Sequence, residues 1–274
     1  MQSDAVREIV RLMRTNLLRE KLAAGEAALN GWLHLASGVA TEAMSQAGFD
    51  SLTVDLQHGP LGYSEALPLL QALSASEVTP LARVPWNEPG IIMKLLDAGC
   101  YGIICPMVNT RQECERFVRA CRYPPQGYRS YGPTRAKLYS GAGYAEHANE
   151  TVLTFAMIET AEALDNLDEI LSVKGLDGVY VGPADLSQSL GGKPGADFED
   201  GPVPEALDTI LAATKERELW AGLHNASASY ALQMTRKGFQ LVTVQSDLGF
   251  LVDRAKAVVS EFHQTATEEA TSSY

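Results

Sequence analysis

Eight short apolar runs recur along the chain, each followed by a stretch of helical period, and this alternation constrains the fold more than any other feature. The runs are Leu29–Ala36, Ser51–Leu56, Thr79–Val84, Gly102–Met107, Leu153–Ile158, Gly178–Val181, Leu219–Leu223 and Leu241–Val244. Between them lie amphipathic patterns such as Ala40–Ala47, Ser64–Ser74, Gly90–Ala98, Arg111–Cys121, Ala161–Leu171, Pro204–Glu218, Ser227–Lys237 and Phe250–Thr265. Strands alternating with helices predict a parallel sheet. At 274 residues, a closed (β/α)8 TIM barrel in a single α/β domain is the economical solution. Gly48, Gly99, Gly175 and Gly238 each stand just before a strand, where a helix C-cap requires the left-handed conformation.

The domain is expected to cover residues 1–264, opening with a helical pattern ahead of the first strand. Residues 265–274 (TATEEATSSY) read as a disordered tail. One long irregular stretch, Arg122–Asn149, follows the fourth strand and is rich in Pro, Gly and Tyr. Loops of that length inside a compact domain usually carry function.

Composition serves mainly to exclude. A net charge of −12 removes the basic face that a nucleic-acid partner would need. No apolar run approaches the roughly 20 residues that span a bilayer. The N-terminal residues lack the uninterrupted apolar core of a signal peptide, which points to a cytoplasmic protein with no membrane partner. Cys100, Cys105, Cys114 and Cys121 fall close together with no CxxC spacing, so buried reduced thiols are expected rather than a zinc site or a disulfide.

In such a barrel the C-terminal ends of the strands carry the chemistry. The second candidate strand ends in Asp55-Leu56-Gln57-His58, and the third in Arg83-Val84-Pro85-Trp86. The fifth ends in Ile158-Glu159-Thr160, and the sixth in Gly182-Pro183-Ala184-Asp185. Each has a plain structural alternative. Glu159 would suit a helix N-terminus and Asp185 an N-cap. His58 would suit a bonded loop histidine, and Arg83 a core ion pair. Taken together at one barrel mouth, they favour a site. Two carboxylates plus water oxygens make a hard, open position for Mg²⁺, Mn²⁺ or Co²⁺. Such a divalent metal would act as a Lewis acid on a 2-oxo acid and stabilise its enolate. Arg83 would add positive charge at the enolate oxygen. His58 would be the general base, its ring oriented by Asp55.

The strings VDLQHGP (54–60), LARVPWNEPGIIMKLLDAGCYGIICPMV (81–108), CRYPPQGYRSYGP (121–133), MIETAEALDNLDEIL (157–171) and DGVYVGPADLSQSLG (177–191) resemble the HpcH/HpaI family of class II, metal-dependent 2-oxo acid aldolases. The likeness runs from about Leu22 to Ala257. It implies a (β/α)8 barrel, usually a homohexamer of dimers that exchange their last helix. Glu159 and Asp185 would hold the metal and Arg83 the pyruvate-like oxygen, with His58 as base and Asp55 behind it. The backbone of Gly182, Pro183, Ala184 and Asp185 would hold the substrate carboxylate. Trp32 would line the pocket, and Asp97 matches an acid that lies near a neighbouring subunit's site.

Two departures stand out. Gln57, grouped with the substrate-binding residues, replaces a Glu before the histidine, and Met157 replaces a Gln two residues before the metal-binding Glu. The RSYGP form of the long loop also resembles the macrophomate synthase-like branch. The expected activity is reversible, metal-dependent aldol cleavage of a 4-hydroxy-2-oxo acid to pyruvate plus an aldehyde. Its alternatives are oxaloacetate decarboxylase-like or macrophomate synthase-like chemistry and, in a different class, a non-catalytic ligand-binding barrel. The tyrosine-rich loop is the expected source of aldehyde specificity, and His224 a residue with either a pocket or a structural role.

Overall fold

A computed structural model describes residues 13–272, with side chains through residue 264; residues 1–12 and 273–274 lie outside the described part. The first half runs α1 (Leu17–Ala23), β1 (Ala28–Leu33), α2 (Gly38–Ser45), β2 (Ser51–Asp55), α3 (Tyr63–Leu73), β3 (Thr79–Arg83), α4 (Pro89–Asp97) and β4 (Gly102–Cys105). It continues through α5 (Arg111–Cys121), α6 (Thr134–Ser140), α7 (Tyr144–Thr151), β5 (Leu153–Ile158), α8 (Ala161–Asp165), α9 (Leu167–Leu171) and β6 (Gly178–Val181). The remainder is α10 (Pro183–Ser189), α11 (Pro202–Glu216), β7 (Trp220–Asn225), α12 (Ala228–Lys237), β8 (Leu241–Ser246) and α13 (Asp247–Ser272). The strands close in sequence order, β1 to β8 and back to β1, all pairs parallel. This is the expected (β/α)8 barrel.

Alternation along each strand sorts side chains between two cores. Leu52, Val54, Ala82, Ile103, Ala156, Ile158 and Val179 face outward and pack under the helices. Trp32, Leu81, Ile104, Phe155, Met157, Tyr180 and Leu241 face inward and fill the barrel. The interior has no room to spare. A Cβ on Gly222 would stand 2.7 Å from the ring of Tyr180, so a glycine is what lets that tyrosine lie across the barrel. Beneath the mouth runs a polar layer whose members answer one another: Asn30 donates to Thr243 at 2.9 Å, Ser51 and Thr53 donate to Asn30, and Tyr180 donates to Thr243 at 2.6 Å. A satisfied network of this kind costs little to bury and holds the strands in register.

Several sequence expectations shift in detail. β1 stops at Leu33 rather than Ala36, because the Asp247 carboxylate takes the N–H groups of His34 and Leu35 and turns the chain away. β4 stops at Cys105, and Met107, expected at the strand end, has φ 54°. The stretch 122–149 is not irregular throughout, since it holds α6 and α7. The single helix expected over 161–171 is two short ones that meet at Asn166. Of the expected N-terminal helix, α1 is described, with Asn16 as its cap. Helix α13 continues to Ser272 through a segment rich in the helix formers Ala and Glu.

The four cysteines are free and buried, on the flank formed by β4 and α5. Burial pushes the thiols of Cys100, Cys114 and Cys121 up to about 12. Among the described residues no helix is long and apolar enough to cross a membrane.

Candidate active site

The inward rows run to the C-terminal ends of the strands or just beyond them, and their terminal members form the site. Asn30 and Trp32 lead to His34, Thr53 to Asp55, Leu81 to Arg83, Met157 to Glu159, and Gly222 to His224. Together with the turn at Gly182–Asp185, most of these side chains surround one cavity of about 400 Å³. Its walls include Trp32, His58, Arg83, Glu159 and the four residues Gly182, Pro183, Ala184 and Asp185. These eight residues, all singled out from the sequence, are joined there by His34, Tyr180, His224, Met157 and the segment Gly195–Ala196.

Arg83 is held from two sides. β2 and β3 pair Asp55 with Arg83, and the two side chains form a fork: Nε donates to Oδ1 at 2.8 Å and Nη2 to Oδ2 at 2.7 Å. The guanidinium lies over the Trp32 ring, 4.1 Å from its centroid, which adds a cation–π contact. Asp55 is fully buried. Burial would raise its pKa, but the hydrogen bonds from His34 and Arg83, with the charge of Arg83, prevail and hold it well below the usual carboxylate range. It is an anion at neutral pH.

The expected role of Asp55 toward the His58 ring is corrected. Its carboxylate accepts from the ring of His34, with Nε2 2.9 Å from Oδ2, and meets His58 only through that residue's backbone N–H, at 3.4 Å. The physical reason is crowding: Arg83, His34 and the N–H of Gln57 already occupy the oxygens. Gln57 does not line the cavity, and its side-chain oxygen is buried without a partner.

Glu159 is 2% exposed and sits opposite. Its Oε1 accepts the N–H of Met107 at 2.7 Å, which explains the unusual backbone there: the left-handed turn at Met107 aims that N–H at the carboxylate. Burial first, and the negative charge of Asp185 in addition, push Glu159 up to about 7 against that hydrogen bond. The helix-terminus readings of the two acids do not describe what is found. Thr160 caps α8, and Asp185 is the third residue of α10, in its first turn, the N-cap being Gly182 with no side-chain bond. The Asp185 carboxylate is exposed at the cavity. Gly182 makes the approach possible, since a Cβ there would stand 2.5 Å from Oε2 of Glu159.

The pair suits a hard cation. It offers two carboxylates whose like charges are unrelieved by any salt bridge, beside an open cavity. Among the described residues no group of three or more His, Cys, Asp or Glu side chains could hold a metal ion.

Asp97 lies apart from this cavity. Its carboxylate accepts from Arg129 at 2.7 Å, and Arg129 in turn is buried against Tyr123 and Tyr144. Within one chain it is an anchor for the segment after α5. The sequence reading missed His34, Tyr180 and Gly195–Ala196. For His34 a signal existed, because it follows Asn30 and Trp32 at period two. For Gly195–Ala196 there was none, because the loop reaches the mouth only where Asp197 accepts the N–H groups of Ala226 and Ser227, at 2.8 Å each.

Residues 30–253 match the family described as HpcH/HpaI aldolase/citrate lyase. The hydroxypyruvate/pyruvate aldolase of Rhizorhabdus wittichii strain RW1 is 42% identical, over 86% of this chain and 94% of that protein. The 5-keto-4-deoxy-D-glucarate aldolase of Escherichia coli O6:H1 is 34% identical, over 90% of this chain and 96% of that protein. Among solved structures, an HpcH/HpaI aldolase/citrate lyase family protein from Burkholderia cenocepacia J2315 superposes with a TM-score of 0.84 at 30% identity, covering 91% of this chain and 100% of that one.

Proposed function

The chain belongs to the HpcH/HpaI aldolase/citrate lyase family and is a lyase of the aldolase type, and on that premise we propose that it cleaves a 4-hydroxy-2-oxo acid reversibly to pyruvate, or a related 2-oxo acid, and an aldehyde. The observation that carries this reading is the convergence of Glu159, Asp185 and the Asp55-clamped Arg83 on one cavity. Glu159 and Asp185 would hold a divalent ion (Mg²⁺, Mn²⁺ or Co²⁺), which would supply Lewis acidity to a bound 2-oxo acid.

The protein's own groups do the rest. Arg83 has two of its donor nitrogens committed to Asp55, so Nη1 remains to receive the oxygen that gains charge as C3 loses its proton or its bonded carbon. The first turn of α10 has no side-chain cap, so its backbone N–H groups are available to the substrate carboxylate. Trp32, Tyr180 and Met157 keep the donor half of the cavity apolar, which excludes water from a strongly basic carbanion equivalent. An imidazole at the mouth moves the proton. The aldehyde enters from the open side, where His58 and Gly195–Ala196 stand.

The free, buried thiols support a cytoplasmic setting. Helix α13 supports a homo-oligomer, a hexamer by the family's habit. It exposes Leu251, Val258, Val259 and Phe262 along one continuous helix, an apolar row of the kind that marks an interaction surface.

The test uses protein stripped with EDTA and restored with Mg²⁺, Mn²⁺ or Co²⁺. Pyruvate and hydroxypyruvate are offered with a panel of aldehydes, and the exchange of the pyruvate methyl protons is followed in parallel. Metal-dependent exchange and product formation are expected. Neither activity with any ion would overturn the proposal.

A further inference from the structure

One polar atom in the donor half of the cavity has no task in the aldol reaction proposed above. Trp32, Met157, Tyr180 and His224 line that part of the wall together, and the rings of Trp32 and His224 meet at a steep angle with centroids 5.4 Å apart. The Tyr180 hydroxyl donates its hydrogen to Thr243 at 2.6 Å, so toward His224 it can only accept. Nδ1 of His224, 3.4 Å from that hydroxyl, therefore carries the ring hydrogen, and Nε2 keeps a lone pair. Burial, then the charge of Arg83, push the ring down to about 4, which keeps it neutral near neutral pH. Nε2 has no hydrogen-bond partner among the described residues and is not sealed away from solvent, which leaves it open on the cavity.

We propose that His224 selects the 2-oxo acid, its Nε2 accepting the hydrogen of a hydroxyl group on C3. Donors of the 3-hydroxy-2-oxo acid class, such as hydroxypyruvate, are then preferred over those that carry a methyl group there. The assignment rests on the aldolase reading above, leaves its chemistry unchanged and adds a determinant of donor choice. The order of strands around the barrel gives the direction. C2 of a 2-oxo acid is trigonal. With its oxygen at Arg83, on β3, and its carboxylate at the first turn of α10, just after β6, the third substituent points to the remaining side, where β7, β8 and β1 stand. That substituent is C3. Trp32 belongs to β1 and His224 to β7. The Trp32 ring connects the two ends of the path, with the Arg83 guanidinium over it at 4.1 Å and the His224 ring packed against it.

The acceptor is held in place from below. Tyr180 is tied to Thr243, and Thr243 to Asn30, so the polar layer of the barrel orients the imidazole. An apolar wall separates a hydroxyl from a methyl group only weakly. A wall with one fixed acceptor penalises the substrate that leaves that acceptor unpaired. A neutral imidazole also offers its lone pair without a formal charge, so it does not compete with the substrate carboxylate for Arg83.

The experiment compares pyruvate, hydroxypyruvate and 2-oxobutanoate, which differ in having hydrogen, hydroxyl or methyl as the third group on C3. Binding to the Mg²⁺-loaded protein is measured by calorimetry, and deuterium exchange at C3 by proton NMR in D2O, for the native chain and His224→Leu. The native protein is expected to bind hydroxypyruvate at least about tenfold more tightly than the near-isosteric 2-oxobutanoate. In His224→Leu that ratio, and the ratio of kcat/KM for exchange, should each fall by about tenfold. A purely structural role for His224 would weaken all three donors together and leave the ratios unchanged. Native affinities for hydroxypyruvate and 2-oxobutanoate within about threefold of each other would overturn the assignment, a comparison that needs no variant to fold. Ratios in His224→Leu within about threefold of native would overturn it too, and either result leaves the aldolase reading intact. No metal-dependent exchange with any of the three donors would bring down the aldolase reading itself, and this assignment with it.

Discussion

Asp55 and Arg83 face each other across β2 and β3 and are joined by two parallel hydrogen bonds, with the carboxylate fully buried. Breaking one side of such a pair strands the other. Asp55→Asn is expected to lower stability by about 3–5 kcal/mol at pH 7, measured by urea unfolding. The sign with pH follows from the depressed carboxyl pKa. The stabilisation is present above the unfolded value of about 4 and is lost as pH falls through the lower folded value, so the gap between native and variant narrows in acid.

Glu159 titrates the other way. Its folded pKa, raised from 4.5 to about 7 by burial and Asp185, disfavours the ionised form. Stability from its neutral form is full below the unfolded pKa and is lost as pH rises through about 7. The metal-free protein should therefore lose stability between pH 4.5 and 7, and Glu159→Gln should remove that slope. A cation needs the ionised form, so Mn²⁺ affinity measured by calorimetry should rise about tenfold per pH unit up to neutrality and then level off.

Gly182 is the narrowest test of the carboxylate pair. Its φ of −97° admits any residue, so Gly182→Ala should fold, yet the new methyl group meets Glu159 Oε2 at 2.5 Å and Met157 Cε at 3.0 Å. The expected result is a melting temperature close to native with metal affinity reduced by about tenfold or more, read by the same titration.

Asp185→Ala should abolish metal-dependent turnover, since its carboxylate is exposed at the cavity and caps no helix. Cys100→Ser, in a fully buried position away from the cavity, should keep turnover while losing about 1–3 kcal/mol of stability for the buried hydroxyl. Turnover assays paired with thermal melts check both.

The exposed apolar side chains of α13 should be covered in solution. Light scattering of the native chain is expected to give an oligomer, and Val259→Asp with Phe262→Asp is expected to reduce its mass.

The barrel was legible because its periods are clean. β5 and β6 begin and end where the apolar runs do, and Gly48, Gly99, Gly175 and Gly238 hold positive φ between 89° and 125°, although only Gly238 is itself a C-cap and the other three follow the cap residue. What escaped depends on contacts between distant segments. Leu35 and Ala36 are apolar and looked like strand, but Asp247 ends β1 before them. That overrun hid His34 as one more strand residue. The partner of Asp55 was misassigned for a related reason. A histidine three positions away is close in sequence, whereas closeness to His34 depends on the stagger between β1 and β2, which only the closed sheet establishes. Helices α6 and α7 are too short to announce themselves by period, and their boundaries depend on the packing of Tyr101, Tyr123 and Tyr144.

The four cysteines have a consequence of their own. They lie between the end of α4 and the end of α5, with thiols that burial keeps protonated and out of reach of reagents in solution. A modifying reagent meets them only when that quarter of the barrel parts. Because β4 is the strand next to the one that carries Glu159 to the mouth, the pace of labelling in native buffer is an internal clock for breathing beside the catalytic face, built into the chain and requiring no added probe.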